Sequence, residues 1–97
     1  MNIRFLDSAR QELDEAVSYY ELERPGLGYD FLREDTHALN SIGAFPEAWH
    51  PLSKRSRRCR MRRFPYGLIY HIRKDELLII AVAHLHRKPD YWQSRAN

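Results

Sequence analysis

Between Lys54 and Phe64 the chain reads KRSRRCRMRRF, in which seven of the first ten residues are Lys or Arg and none is acidic. On a strand, side chains alternate between the two faces, so Cys59 and Met61 point one way and Arg58, Arg60 and Arg62 the other. Like charges repeated every ~6–7 Å along a strand repel one another, so such a row calls for an anionic partner. The planar arginine fork suits two kinds of partner, the carboxylates of an acidic protein segment and phosphates. Shielding a sheet edge is the competing reading, but one or two charges suffice for that. A second basic and aromatic group, Arg87, Tyr91, Trp92 and Arg95, closes the chain.

Other chemistries find less support. His84 and His86 share a strand face, yet two histidines without a cysteine or a placed carboxylate do not make a metal site. Cys59 is the only cysteine and is expected to face the core as a small hydrophobe, so it offers neither a disulfide nor a nucleophile paired with a histidine. Paired carboxylates, a Gly-rich phosphate loop and a Walker-type motif are all missing from the sequence. No metal and no cofactor are expected.

The elements that must position the basic residues can be read from periodicity. At 97 residues, with 43% hydrophobic and 12% aromatic content, the chain predicts one domain with a modest single core. Asn2 to Leu6 predicts a short strand running straight into a helix, with Asp7 or Ser8 as its N-cap. Ala9, Leu13, Ala16, Val17 and Tyr20 recur at helical spacing, with Gln11, Glu12, Asp14, Glu15 and Ser18 on the polar side. Pro25 and Gly26 end that helix near Glu23. A second helix opens at Leu27 or Gly28 and carries the stripe Leu27, Phe31, Leu32, Ala38, Leu39 and Ile42 up to Gly43, so the pair forms an antiparallel hairpin. Ala44 to Ser53 is a loop in which Phe45 or Trp49 plugs the core edge.

From Arg57 the period changes to two, predicting strands over Arg57 to Phe64, Leu68 to Arg73 and Leu77 to His84, with a last helical turn over Asp90 to Arg95. The fold class is therefore α+β, in the order β-α-α-β-β-β, with a helix hairpin packed on one face of a small antiparallel twisted sheet. Pairing Phe64 with Gly67 puts Arg62 opposite Ile69, Arg60 opposite His71 and Arg58 opposite Arg73. One face then gathers Cys59, Met61, Leu68, Tyr70, Ile72, Leu77, Ile79 and Ala81 to receive the helices. The other is a mixed surface of Arg58, Arg60, Arg62, Ile69, His71, Leu78 and Ile80, bordered by Arg87 and Trp92, and it is expected to stay open for a partner. Arg63 breaks the alternation and predicts a bulge or an exposed strand end.

The net charge of +3 hides a split: residues 1–47 hold ten acids against four bases, about −6, and residues 48–97 hold three against twelve, about +9. One basic surface is implied. The first residues carry Arg4, Asp7 and Arg10 without a signal-like apolar run, and nowhere do 18 apolar residues follow one another, so a soluble protein of the reducing cytoplasm is expected, with no membrane partner.

In this order and spacing the residues resemble the RelE/ParE superfamily of type II toxin–antitoxin toxins. The resemblance covers nearly the whole chain. It rests on Ala9, Leu13, Ala16, Tyr19, Tyr20 and Glu21, on Pro25-Gly26-Leu27-Gly28 with Phe31, on Pro46, Trp49 and Leu52, and on Arg57-Arg58 leading to Phe64-Pro65-Tyr66. Tyr70, Ala81-Val82-Ala83-His84 and the tail Arg87, Pro89, Trp92 and Arg95 complete it. It implies a small bacterial toxin held inactive by a cognate antitoxin and oligomeric only through it, with either DNA gyrase or the ribosome and its messenger RNA as target. RNA-cleaving members carry an arginine after the tyrosine of the strand that follows the turn. Here Gly67 follows Tyr66, which is closer to the ParE and plasmid-stabilisation branch, whose members inhibit gyrase. If the chain is nonetheless a nuclease, Lys54, Arg60, Arg62, His84, Arg87 and Tyr91 are its candidate catalytic groups. Otherwise Arg58, Arg60, Arg62, Ile69, His71, Leu78, Ile80, Arg87 and Trp92 form an antitoxin-docking surface.

Overall fold

A computed structural model of the chain describes residues 2–95. Strand β1 (Asn2–Phe5) leads into helices α1 (Asp7–Glu23) and α2 (Leu27–Ala44), followed by strands β2 (His50–Pro51), β3 (Ser56–Arg60), β4 (Tyr66–Ile72) and β5 (Glu76–His84) and a 3₁₀ turn over Gln93–Arg95. The sheet order is β1-β5-β4-β3-β2. The α+β arrangement is as expected, with the helix hairpin on one face. Two details differ: β1 pairs with β5 in parallel, making the sheet mixed, and the two-residue β2 extends its far edge.

Ala9, Leu13 and Ala16 of α1 and Phe31, Ala38 and Ile42 of α2 are buried against Cys59, Leu68, Tyr70, Leu77, Ile79 and Val82 of the sheet. Leu32, expected in that stripe, lies on the outer side at 41% exposure. Neither Asp7 nor Ser8 caps α1: the N-cap is Leu6, whose own amide donates to the Ile79 carbonyl and so fuses strand end to helix start. At the other end of α1, the Glu21 carboxylate accepts from the amides of Gly26 and Gly28, both at 3.1 Å, satisfying donors that the opening of α2 would leave free. Gly26 sits at φ 92°, in the left-handed region. Gly28 lets the helices cross closely, since a Cβ there would lie 2.8 Å from the Val17 carbonyl oxygen.

The register of β3 departs from expectation. Arg60, not Phe64, pairs with Gly67, and Arg58 lies opposite Ile69. The shift of four residues preserves the parity, so the faces survive while the partners change. The strand stops at Arg60 because the Glu34 carboxylate on α2 accepts from the amides of Arg62 and Arg63, both at 3.1 Å, and Met61 and Phe64 turn into the core. Arg62 therefore leaves the strand row for an exposed loop, and Arg63 lies beside Asp30 at 3.5 Å, which resolves its broken alternation.

A second irregularity lies between β4 and β5. Ile69 pairs with Ala81 but Tyr70 with Ile79, leaving Ile80 as an extra residue in a bulge. Ile80 and Ala81 consequently both pack on the face away from the helices, so Ala81 is not in the main core. There they form a second cluster with Ile69, Ala83 and Trp92. This face was expected to be open. Instead Ile69 is 3% exposed, Leu78 1%, Ile80 1%, His71 7% and Trp92 6%, because the C-terminal segment folds back and Trp92 seals the aliphatic centre.

That segment is fastened by one side chain. The parallel partner β1 covers β5 only as far as Ile79, so the outward backbone groups beyond it lack a strand neighbour. Glu12 of α1, expected on the polar side, fills the gap. Its carboxylate accepts from the Val82 amide at 3.0 Å, the Tyr91 hydroxyl at 2.8 Å, Arg95 Nη1 at 2.8 Å and Nη2 at 2.9 Å, and Arg87 Nη1 at 3.3 Å. Arg95 Nη1 also donates to the Ile80 carbonyl at 3.1 Å. The guanidinium groups of Arg87 and Arg95 lie over the Tyr91 ring, 3.7 and 4.9 Å from its centre. Burial, and then the bond to Glu12, push the Tyr91 hydroxyl pKa well above its usual value.

Two outcomes follow from this packing. Glu12→Gln removes the charge that Arg87 and Arg95 share. It should lower stability in urea by roughly 2–4 kcal/mol and speed amide exchange at Val82 more than in α2. Asp35, within the core stripe of α2, is 4% exposed, and its Oδ1 has no hydrogen-bond partner among the described residues. Burial raises its pKa to about 6 from 3.8, against the pull of Arg10. The stability contributed by its protonated form is complete below about pH 4 and lost as pH rises through about 6. Asp35→Asn should therefore stabilise the chain by roughly 2–3 kcal/mol near pH 7.5. Urea melts across pH should show that gain vanishing towards pH 4.

Candidate functional site

Where the C-terminal segment crosses the second face of the sheet it leaves a cleft of about 150 Å³, lined by Leu52, Arg58, Ile69 and Ala83 on the sheet side and by residues 84–85 and 87–92 on the other. Of the residues singled out from sequence, the structure brings together Arg58, Ile69, His84, Arg87, Tyr91 and Trp92 here. Strand β3 sets Arg58 on this face, bulged β5 delivers His84 at its end, and the Glu12 fastening holds Arg87 and Tyr91.

Arg58 reaches the cleft by crossing Gly67 on the neighbouring strand. A Cβ on Gly67 would lie 2.9 Å from Arg58 Cγ and 3.1 Å from Cδ, so the glycine is the floor on which the arginine stem rests. Arg58 Nε is buried and without a hydrogen-bond partner among the described residues. In contrast Arg57, on the helix face, donates to the Trp49 carbonyl at 2.8 Å.

The other named residues stand apart. Arg60 and Arg62 border a separate groove against α2, with Glu34, His37 and Trp49. Lys54 and His71 lie on the other flank of Trp92, beside Arg55 and Gln93. His71 Nε2 is 2.9 Å from Ser56 Oγ, and burial, then the charges of Arg73 and Arg55, lower its pKa. Arg60 is not its cross-strand neighbour, since Ser56 occupies that place. Leu78 and Ile80 are buried. The single surface expected from strand parity is thus divided: one cleft with Arg58 and Arg87, one groove with Arg60 and Arg62, and a closed aliphatic centre between the sheet and Trp92. His84 packs its ring 5.1 Å from that of Tyr66, and its Nδ1 accepts from the His86 amide at 3.1 Å.

Glu12 was missed in the sequence as a member of this site. Its one trace there is its place just before Leu13, at the border of the apolar stripe, where a side chain can turn either way. No helix among the described residues is long and apolar enough to cross a membrane.

Among curated protein sequences none matches. Among solved structures the chain is similar to one described as the chromosomal ParDE TA system from P. aeruginosa, with a TM-score of 0.77 and 14% identity, over 89% of this chain and 97% of that one. The family described as the ParE toxin of the type II toxin-antitoxin system, parDE, matches residues 3–91. With nearly the whole sequence matched, the chain belongs to the ParE family of type II toxin–antitoxin toxins.

Proposed function

We propose that this toxin acts in the cytoplasm by binding and inhibiting DNA gyrase, without cutting RNA, and that a cognate antitoxin holds it inactive. The observation that carries this reading is the pair Gly67 and Arg58. RNA-cleaving relatives carry an arginine where Gly67 stands, and here a side chain at that position would collide with the Arg58 stem. Two of the candidate catalytic groups in the C-terminal segment are also committed: Arg87 pairs with Glu12, and the Tyr91 hydroxyl donates to the same carboxylate with its pKa raised. A phenol so held is a poor proton shuttle.

For the antitoxin, the basic half of the chain supplies the complement to an acidic segment. Arg58, Arg60 and Arg62 remain its candidate contacts, now as two neighbouring basic sites. His71, Leu78 and Ile80 are buried in the chain alone and would meet a partner only if the C-terminal segment moved, whereas Ile69 and Trp92, though largely buried, line the cleft.

In a supercoiling assay the purified toxin should inhibit gyrase and the antitoxin should restore activity. Primer extension on translated messages should show no codon-phased cuts. Undiminished supercoiling together with phased cuts would replace this reading with ribosome-dependent RNA cleavage. Exchanging Arg58, Arg60 and Arg62 together for Glu should abolish antitoxin binding while circular dichroism stays unchanged.

A further inference from the structure

Arg58 differs from the other cleft-lining arginine in having no acceptor. Arg87 is paired with Glu12, whereas Arg58 makes no hydrogen bond or ion pair with its guanidinium among the described residues, and its Nε is buried. A buried donor left unmade costs free energy, more so on a charged group, and Arg58 is kept in this position by a glycine whose absent side chain makes room for it. The walls around it, Leu52, Ile69, Pro89 and Trp92, are apolar. Lys88 and Asp90 also line the cleft and carry opposite charges. The charge left unmatched in the cleft is that of one guanidinium.

We infer that this cleft is a receptor for a single carboxylate carried on an apolar stem, the side chain of an acidic residue in a partner protein segment, with Arg58 as the group that receives it. The inference rests on the reading that an acidic antitoxin segment docks on this side of the toxin. A phosphate suits the cleft less well: it would bring nearly two charges to one free guanidinium, with the lining carboxylate of Asp90 opposing the second. A carboxylate places one oxygen on Nε–H and the other on an adjacent Nη–H, which satisfies the buried donor and lets the stem follow the Ile69 and Trp92 walls.

The side-chain Nε–Hε signals of an ¹⁵N-labelled sample observe the donor itself. Arg58→Lys, which keeps the charge and removes Nε, identifies the Arg58 signal. Sodium butyrate should shift that signal saturably, sodium chloride at equal ionic strength should not, and inorganic phosphate should saturate only at higher concentration. Gly67→Ala, which pushes the stem aside, should weaken the butyrate response on the order of tenfold. A shift reproduced by chloride, or phosphate binding tighter than butyrate, overturns the inference. With the antitoxin, Arg58→Lys should raise the Kd on the order of tenfold, and an unchanged Kd also overturns it. If the unaltered toxin binds no antitoxin at all, the proposed partnership fails instead, and the butyrate titration still judges the site.

Discussion

The longest strand of the sheet has a neighbour along only half of one edge, and the structure is arranged around meeting that deficit. β1 pairs with β5 through Ile79 and then becomes helix, because Leu6 spends its amide on the last shared carbonyl. The helix therefore starts against the exposed part of the edge, and its second turn delivers Glu12 to the Val82 amide. A carboxylate has more acceptor capacity than one amide can use, and Tyr91, Arg87 and Arg95 take the remainder. Covering the edge and fastening the chain end are thus the same interaction. The side chain of Glu12 is only 11% exposed, and a carboxylate at that depth needs the cations that surround it.

What periodicity could reveal was which face each residue takes; what it could not reveal was which neighbour it meets. Ala9, Leu13, Ala16, Phe31 and Ile42 announced the hairpin, and the alternation through Cys59, Leu68, Tyr70 and Leu77 announced the sheet. Register escaped because a slip by an even number leaves alternation intact, and because the device that ends β3 is Glu34, 26 positions before Arg60 and indistinguishable in the sequence from any other exposed helical acid. The bulge at Ile80 escaped because both Ile80 and Ala81 are apolar, so moving Ala81 to the other face leaves no polar residue stranded. The cleft was half legible: the residue types were right, yet the face around Ile69 was expected to stay open, and it is covered by the tail that carries Trp92.

The absence of a side chain at Gly67 does as much here as any side chain. On a buried central strand glycine forfeits packing, which is tolerated when another group uses the space. The group is the stem of Arg58, contributed by the adjacent strand to the very position a larger residue at 67 would fill. The cation on this part of the face thus comes from β3, with its Nε buried.

Glu12 and Arg95 lie 83 positions apart in the sequence, near the two ends of the chain. During synthesis the hairpin and its first strand emerge before β5, the parallel partner of β1, and before the cations that Glu12 binds. Non-local closure of this kind is slow, because its chain entropy is spent before its contacts reward it. The cleft beneath Trp92 therefore forms only once the chain has been made through Arg95. A copy interrupted before Arg95 keeps the sequence of both helices but lacks a cation that Glu12 binds, so the order of synthesis puts the covering of the sheet's second face after the hairpin.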